Sequence, residues 1–243
     1  MLPDDASARL LQPLWDALVR ALGVDTISHP LFFVLAIIST VLAAGLGFSA
    51  VDVFVTRKLP FKAAAKYLLI TLPGYLAVFM LLVGLPAPYH VEVPRTAPRV
   101  LELVGGVAVL LVLGDLLSYW WHRLEHGSTL VWRHVHSTHH AVRCPLTVWS
   151  GFYVHPIESL CVFVTFYIVP FALGVHPLIF AAYAMINTFI TMVTHCGYDL
   201  PLYPNSIFAS APMHEHHHGG GKPRNFSVLL TLSDRLFGTF KPS

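Results

Sequence analysis

Nine histidines of this chain fall into four groups: His122 and His126; His136, His139 and His140; His195; and His214, His217 and His218. Neutral imidazole is the commonest metal side-chain ligand and suits iron, zinc, copper or nickel. On a helix, residues three and four apart share a face. His122 with His126, His136 with His139 and His140, and His214 with His217 and His218 are therefore each expected to present their rings to one side. A structural zinc site is filled by four ligands and a catalytic zinc needs three from the protein. Nine imidazoles exceed either, so more than one ion is expected. Two ions with four or five imidazoles each, unbridged by carboxylates, would leave open positions for dioxygen, and iron is the metal whose redox chemistry exploits them. Zinc stands higher in the affinity order and can substitute.

Other polar residues could serve the same site. In His155-Pro156-Ile157-Glu158, His155 is either a tenth ligand or a neighbour oriented by Glu158. Asp115 lies one heptad before His122 at membrane depth, where a carboxylate is costly unless partnered. Its expected partner is the N–H of a ligating imidazole, with a helix–helix hydrogen bond as the alternative. Asn187, in the last apolar stretch, has the same alternative. Asp115, Glu158 and Asn187 are the catalytic candidates. His29, His90 and His176 sit beside prolines or at span ends and read as interfacial. Gly219-Gly220-Gly221-Lys222 lacks the spacing of a phosphate loop and the Ser or Thr that should follow.

These groups must be positioned by membrane elements. Of the 243 residues, 55% are hydrophobic and 12% charged, with a mean hydropathy of +0.64, against roughly 25% charged in soluble domains. Four uncharged stretches are candidate spans: Leu31 to Val51, Tyr67 to Tyr89, Ser159 to Val175 and Pro177 to Thr194. A fifth, Leu103 to Trp121, is interrupted by Asp115. The shortest reaches roughly 25 Å at the helical rise, so the last two of the four form either marginal spans or a re-entrant hairpin. Ala6 to Leu22 reads as an amphipathic helix on the membrane surface, with Leu10, Leu11, Leu14 and Leu18 along one side. Asp4 and Asp5, with no basic region before an apolar run, argue against a cleavable signal peptide.

Arg57, Lys58, Lys62 and Lys66 place the loop between the first two spans in the cytoplasm. Counting onward, the Leu103 to Trp121 span delivers His122 and His126 to that side, and the hairpin turning near Gly174 to Pro177 leaves and returns there. His195 and the C-terminal segment with Lys222, Arg224, Arg235 and Lys241 follow, so all four histidine groups meet on one face. The Asn225-Phe226-Ser227 sequon would then be cytoplasmic and is discounted. Cys144, Cys161 and Cys196 give no disulfide framework, and a net charge of +2 points to no nucleic-acid partner. The expected fold is an all-α polytopic membrane bundle of about four to five spans, or a re-entrant hairpin, with a cytoplasmic histidine-rich helical cap. It is read as one domain over 1–243, with 1–28 interfacial and 115–239 carrying the histidine motifs.

By His122-x3-His126, His136-Ser137-Thr138-His139-His140, His155-Pro156-Ile157-Glu158, His195-Cys196-Gly197-Tyr198-Asp199, His214-x-x-His217-His218 and Asp234-Arg235-Leu236-Phe237-Gly238-Thr239, the chain resembles the fatty acid hydroxylase/sterol desaturase superfamily. The resemblance covers roughly half the chain, from Asp115 to Thr239. The segment His195 to Leu202 looks most like the 4-methylsterol oxidases. Two positions depart: His216 stands where relatives commonly carry an aromatic residue, and Ser233 where many carry Trp. The resemblance implies a membrane enzyme of lipid or sterol metabolism in which two irons and two external electrons reduce dioxygen to attack an unactivated C–H bond. The product is an alcohol, or an alkene if a second hydrogen is taken. It also implies a lipid substrate within the membrane and a separate cytochrome or ferredoxin-type donor, since the chain carries no haem or flavin motif. A zinc-dependent membrane hydrolase and a non-enzymatic metal or lipid carrier are the competing readings. The membrane would be the endoplasmic reticulum in a eukaryote and the inner membrane in a bacterium.

Overall fold

The computed structural model describes residues 6–56, 61–84, 91–219 and 221–242. Asp4, Asp5, Arg57, Lys58, His90 and Gly220, named above, lie outside them, as does the Lys62 side chain. Among the described residues the chain is all-helical, with one isolated β-bridge between Phe208 and Leu230. The helices are α1 (Ala6–Leu22), α2 (Val24–Ser28), α3 (Leu31–Thr56), α4 (Phe61–Val83), α5 (Val100–Gly127), α6 (Thr129–His134), α7 (Pro156–Ala172), α8 (Pro177–Thr194), α9 (Ala211–His218) and α10 (Leu232–Leu236).

Three described helices, Leu31–Val55, Val100–Gly127 and Pro177–Thr194, are long and apolar enough to cross a membrane. Pro156–Ala172 is shorter and equally apolar. A turn at Gly174, at φ +55°, a backbone conformation that glycine adopts without strain, joins it to α8, and both helices pack on α5 rather than along each other. The protein is an integral membrane helical bundle. Packed side by side, α3 meets α8, α8 meets α5, α5 meets α7, α7 meets α4, and α4 returns to α3. Phe33 of α3 stacks on Phe180 of α8 at 3.8 Å, and Leu110, Phe166 and Tyr183 complete a buried interior. The outside is also apolar: Leu42, Phe54, Leu101 and Val104 are exposed, as expected where lipid replaces water.

A recurrent device starts these helices. In His29-Pro30, His155-Pro156 and His176-Pro177, the imidazole Nδ1 accepts the backbone N–H two residues on, at 3.1, 3.2 and 3.0 Å. Proline then fixes the first helical φ and has no N–H to satisfy. His155 is thereby a helix cap, as His29 and His176 are.

On α1 the expected leucine stripe divides. Trp15, Leu11, Leu18 and Val19 turn onto the core, while Leu10 and Leu14 are exposed. Trp15 donates its indole N–H to the Pro94 carbonyl, and Gln12 accepts the Ala97 N–H. This inward face is set by the 94–97 strap, which supplies backbone partners that hydropathy does not show.

At its other end α3 holds the histidine cap. Gly45, Ser49 and Asp52 lie at helical spacing on one face. The Trp149 ring packs on Gly45 and donates to Ser49 Oγ at 2.9 Å, and Tyr198 donates to Asp52 at 2.6 Å. A Cβ on Gly45 would lie 2.6 Å from the Trp149 ring, whereas one on Gly47 would meet nothing within 4 Å. Gly45→Ala should therefore destabilise the purified protein by roughly 1–3 kcal/mol, read as a lower thermal midpoint, and Gly47→Ala should not lower it.

Candidate metal centre

The last turns of α5 carry His122 and His126. The chain then runs through α6 into a 3₁₀ helix, His136–Ala141, while α8 ends on His195 and α9 carries His214, His217 and His218. All nine rings converge. They divide into a first group of His122, His126, His136, His140 and His217, and a second of His139, His195, His214 and His218. Within each group the ligand atoms lie within 4.8 Å of one another.

This division corrects the expectation that each short motif presents its rings to one side. His139 leaves His136 and His140 to join the second group, and His217 leaves His214 and His218 to join the first. Successive residues point about 100° apart on an α-helix and about 120° apart on a 3₁₀ helix, so an adjacent pair reaches two centres at once. His139/His140 and His217/His218 do this from facing segments. The groups abut, with His140 stacked on His218 at 4.3 Å between ring centres.

Proton placement shows what the rings can hold. Nδ1 of His122 donates to the Phe226 carbonyl at 2.6 Å, that of His217 to Arg224 O at 2.7 Å, that of His195 to Thr191 O at 2.7 Å and that of His139 to Tyr153 O at 3.3 Å. Nδ1 of His136 lies 3.0 Å from Glu158 Oε1 and 3.5 Å from Glu125 Oε2. Carbonyls only accept, so Nδ1 of His122, His217, His195 and His139 carries the proton and Nε2 of each keeps a bare lone pair. Nε2 of His122 nevertheless sits 3.1 Å from Nε2 of His136, and Nε2 of His195 is buried with no partner. Bare imidazole nitrogens crowded in this way suit a cation between them, and a buried orphan acceptor is costly. The donor set fits two transition-metal ions held by imidazole.

Outside the spans, burial keeps these rings neutral, reinforced by the charge each neighbouring imidazole would carry. Burial and then His218 lower His140 to about 2, burial and then His195 lower His218 to about 3, and burial lowers His195 to about 4. His139, His214 and His217 are held well below the usual histidine range for the same reasons. Neutral imidazole is the form that binds metal.

The remaining candidates are placed differently. His155 lies outside both groups, its Nδ1 committed to the α7 cap, and His216 is exposed. Glu158 does meet a clustered ring, that of His136 rather than His155. Asp115, fully buried, touches no imidazole: it accepts the Leu230 N–H at 3.0 Å and the Ser233 hydroxyl at 2.7 Å. The chain after α9 folds back onto α5 and supplies those donors first. Asn187 is buried, with its Oδ1 unpartnered. Two acids are not singled out by spacing. Glu125 is an acid set between His122 and His126 in the same turns of α5, and that adjacency is a signal in the sequence. Asp234 binds backbone amides, which no spacing rule reveals.

A family model described as fatty acid hydroxylase matches residues 107–239, which include all nine histidines. The chain belongs to the fatty acid hydroxylase family. It is 34% identical over 162 residues to a cholesterol 25-hydroxylase-like protein of Danio rerio, covering 63% of this chain and 61% of that one. It is 32% identical over 149 residues to very-long-chain aldehyde decarbonylase GL1-8 of Oryza sativa subsp. indica, covering 59% and 55%. With methylsterol monooxygenase 1-1 of Arabidopsis thaliana it shares 27% over 169 residues, covering 66% and 55%. These matches thus span less than two thirds of each relative. No solved structure matches.

Because the groups share no ring, His139→Ala and His217→Ala should each remove about half of the bound metal from purified protein, by loss of one ion's ligand. His155→Ala and His216→Ala should leave metal content intact by elemental analysis. Equal loss in all four would contradict the division into two groups.

Proposed function

We propose that the chain is a membrane di-iron oxygenase that hydroxylates an unactivated C–H bond of a lipid, a sterol or another polycyclic or long-chain substrate. The observation that carries this reading is the pair of all-imidazole groups on which the Nε2 atoms of nine rings converge. The names of the relatives, a hydroxylase-like protein, a monooxygenase and a decarbonylase, support oxidative lipid chemistry and leave the substrate to experiment. When bound, two ferrous ions would supply the reduction of dioxygen that oxidises the C–H bond, with zinc a substitute in purified protein.

The protein's own contribution is positional. Backbone carbonyls hold four of the rings by Nδ1, Glu125 and Glu158 flank Nδ1 of His136, and the buried cap keeps water from the reacting carbon. Asp115 and Asn187 act at a distance from the rings, Asp115 by anchoring the C-terminal segment.

In this reading the histidine cap faces the cytoplasm, and electrons arrive from a separate cytochrome or ferredoxin-type donor. Arg133, Arg143 and Lys222 are exposed near the cap and Arg224 is half-buried, a set that suits an acidic partner. Reversing Arg133, Arg143 and Lys222 to Glu should slow turnover with the physiological donor several-fold, steeply at low salt, without changing metal content. Unchanged turnover would exclude docking there.

The class is tested by reconstituting detergent-purified protein with ferrous iron, a reductase system and a mixed lipid extract. About two irons per chain and lipid-stimulated oxygen uptake are expected, with product mass deciding between alcohol and alkene. Bound zinc with oxygen-independent lipid turnover would establish a hydrolase instead.

A further inference from the structure

The Nδ1 protons of His122 and His217 both go to one short segment, to the carbonyls of Phe226 and Arg224. Both rings belong to the first group. What fixes that segment therefore fixes two of five potential ligands.

The peptide between Phe226 and Ser227 is bonded on both sides. Its carbonyl accepts from His122 at 2.6 Å, and its N–H donates to Asp234 Oδ2 at 2.9 Å. In a trans peptide the C=O and N–H point in opposite directions, so the carboxylate sits behind the carbonyl that holds the ring. Asp234 Oδ1 also accepts the Phe226 N–H at 2.9 Å and the Thr239 hydroxyl at 2.7 Å. The peptide two back, between Arg224 and Asn225, is arranged in the same way: Arg224 O accepts from His217, and the Asn225 N–H donates to the Thr239 carbonyl at 3.0 Å. Asn225 itself, at φ +55°, bonds Met213 O and Lys241 O through its side-chain amide. Asp234, Asn225, Phe226 and Ser227 are all buried.

Metal-ligating histidines are ordinarily held by a carboxylate or carbonyl on the second nitrogen. Here the two are placed in series. We infer that Asp234 is a positioning residue for the first histidine group, its carboxylate acting on His122 through the Phe226–Ser227 peptide and on His217 through Thr239. A negative charge behind the peptide polarises it and makes the carbonyl a better acceptor. That raises the electron density at His122 Nε2 and fixes its direction. Asparagine at 234 has the same shape, but it loses the charge and turns an N–H toward a backbone N–H. The inference rests on the two-ion reading of the site, and its test is made on metal release, independent of turnover.

The experiment loads the full-length protein in detergent with cobaltous ion alone, then follows loss of the cobalt absorption on addition of excess chelator. Wild type should take up about two ions and release them in two phases. Asp234→Asn should speed one phase roughly 10–100-fold, the phase missing from His126→Ala, and leave the other within about two-fold. Thr239→Val, which removes one of the three hydrogen bonds to the carboxylate, should speed the same phase less, and it decides the matter if Asp234→Asn does not fold. Both phases accelerated equally, or neither changed, in a variant that still binds two ions would overturn the positioning role while sparing the two-ion reading. Uptake of fewer than two ions by wild type would overturn the two-ion reading itself, and this inference with it.

Discussion

Nine converging imidazoles, six of them buried and three half-buried, that must all stay neutral with their Nε2 atoms turned inward are the constraint on which this structure depends. Such an arrangement is unfavourable for an empty protein: it removes polar rings from solvent and sets acceptor against acceptor. The fold holds five of the rings from behind at Nδ1, whereas Nδ1 of His214 and of His218 is buried without a hydrogen-bond partner among the described residues. His195 uses a carbonyl of its own helix, Thr191 O. His139 uses Tyr153 O, His136 the two buried glutamates, and His122 and His217 the 224–226 segment.

The rest of the chain serves to keep those partners in place. Membrane helices α5 and α8 deliver His122, His126 and His195 to one end of the bundle. Asp115, on α5, binds Leu230 and Ser233 and so ties the C-terminal segment to the helix that carries His122. On the far side, α3 grips Trp149 and Tyr198 through Ser49 and Asp52. Gly197, at φ +77°, lets the chain after His195 pass close to the Leu146 carbonyl, where a Cβ would collide. Polar residues at membrane depth are expensive; Asp115 offsets that cost by accepting the Leu230 N–H, and Asp234, outside the spans, fixes the backbone of Phe226 and Ser227.

Much of this architecture is legible in residue type and spacing. Hydropathy places α8 closely, because a helix in lipid needs an uninterrupted apolar run of set length: it begins and ends where the apolar stretch does, at Pro177 and Thr194, whereas α4 already starts at Phe61 and the end of the Tyr67 to Tyr89 stretch lies outside the described residues. Spacing singles out the nine rings that the fold brings together. The same local reasoning goes astray wherever a residue has two uses of similar chemistry. His155 lies among the motifs, yet its following proline makes it a cap, the use that His29 and His176 share.

The sequence by itself determined that this is a helical membrane protein whose histidines converge on one end, since period, length and residue type are local quantities, and its motifs carry the resemblance that the family match bears out. Only the tertiary structure decided how the rings divide, five and four, because that depends on the angle between a 3₁₀ turn and α9, segments far apart in the chain. It alone decided that Asp115 holds a backbone loop rather than an imidazole, and that Asp234 stands behind the peptide that orients His122. Hydrogen bonds to main-chain groups leave no mark in residue type or spacing, and they appear only when the segments that share them have packed.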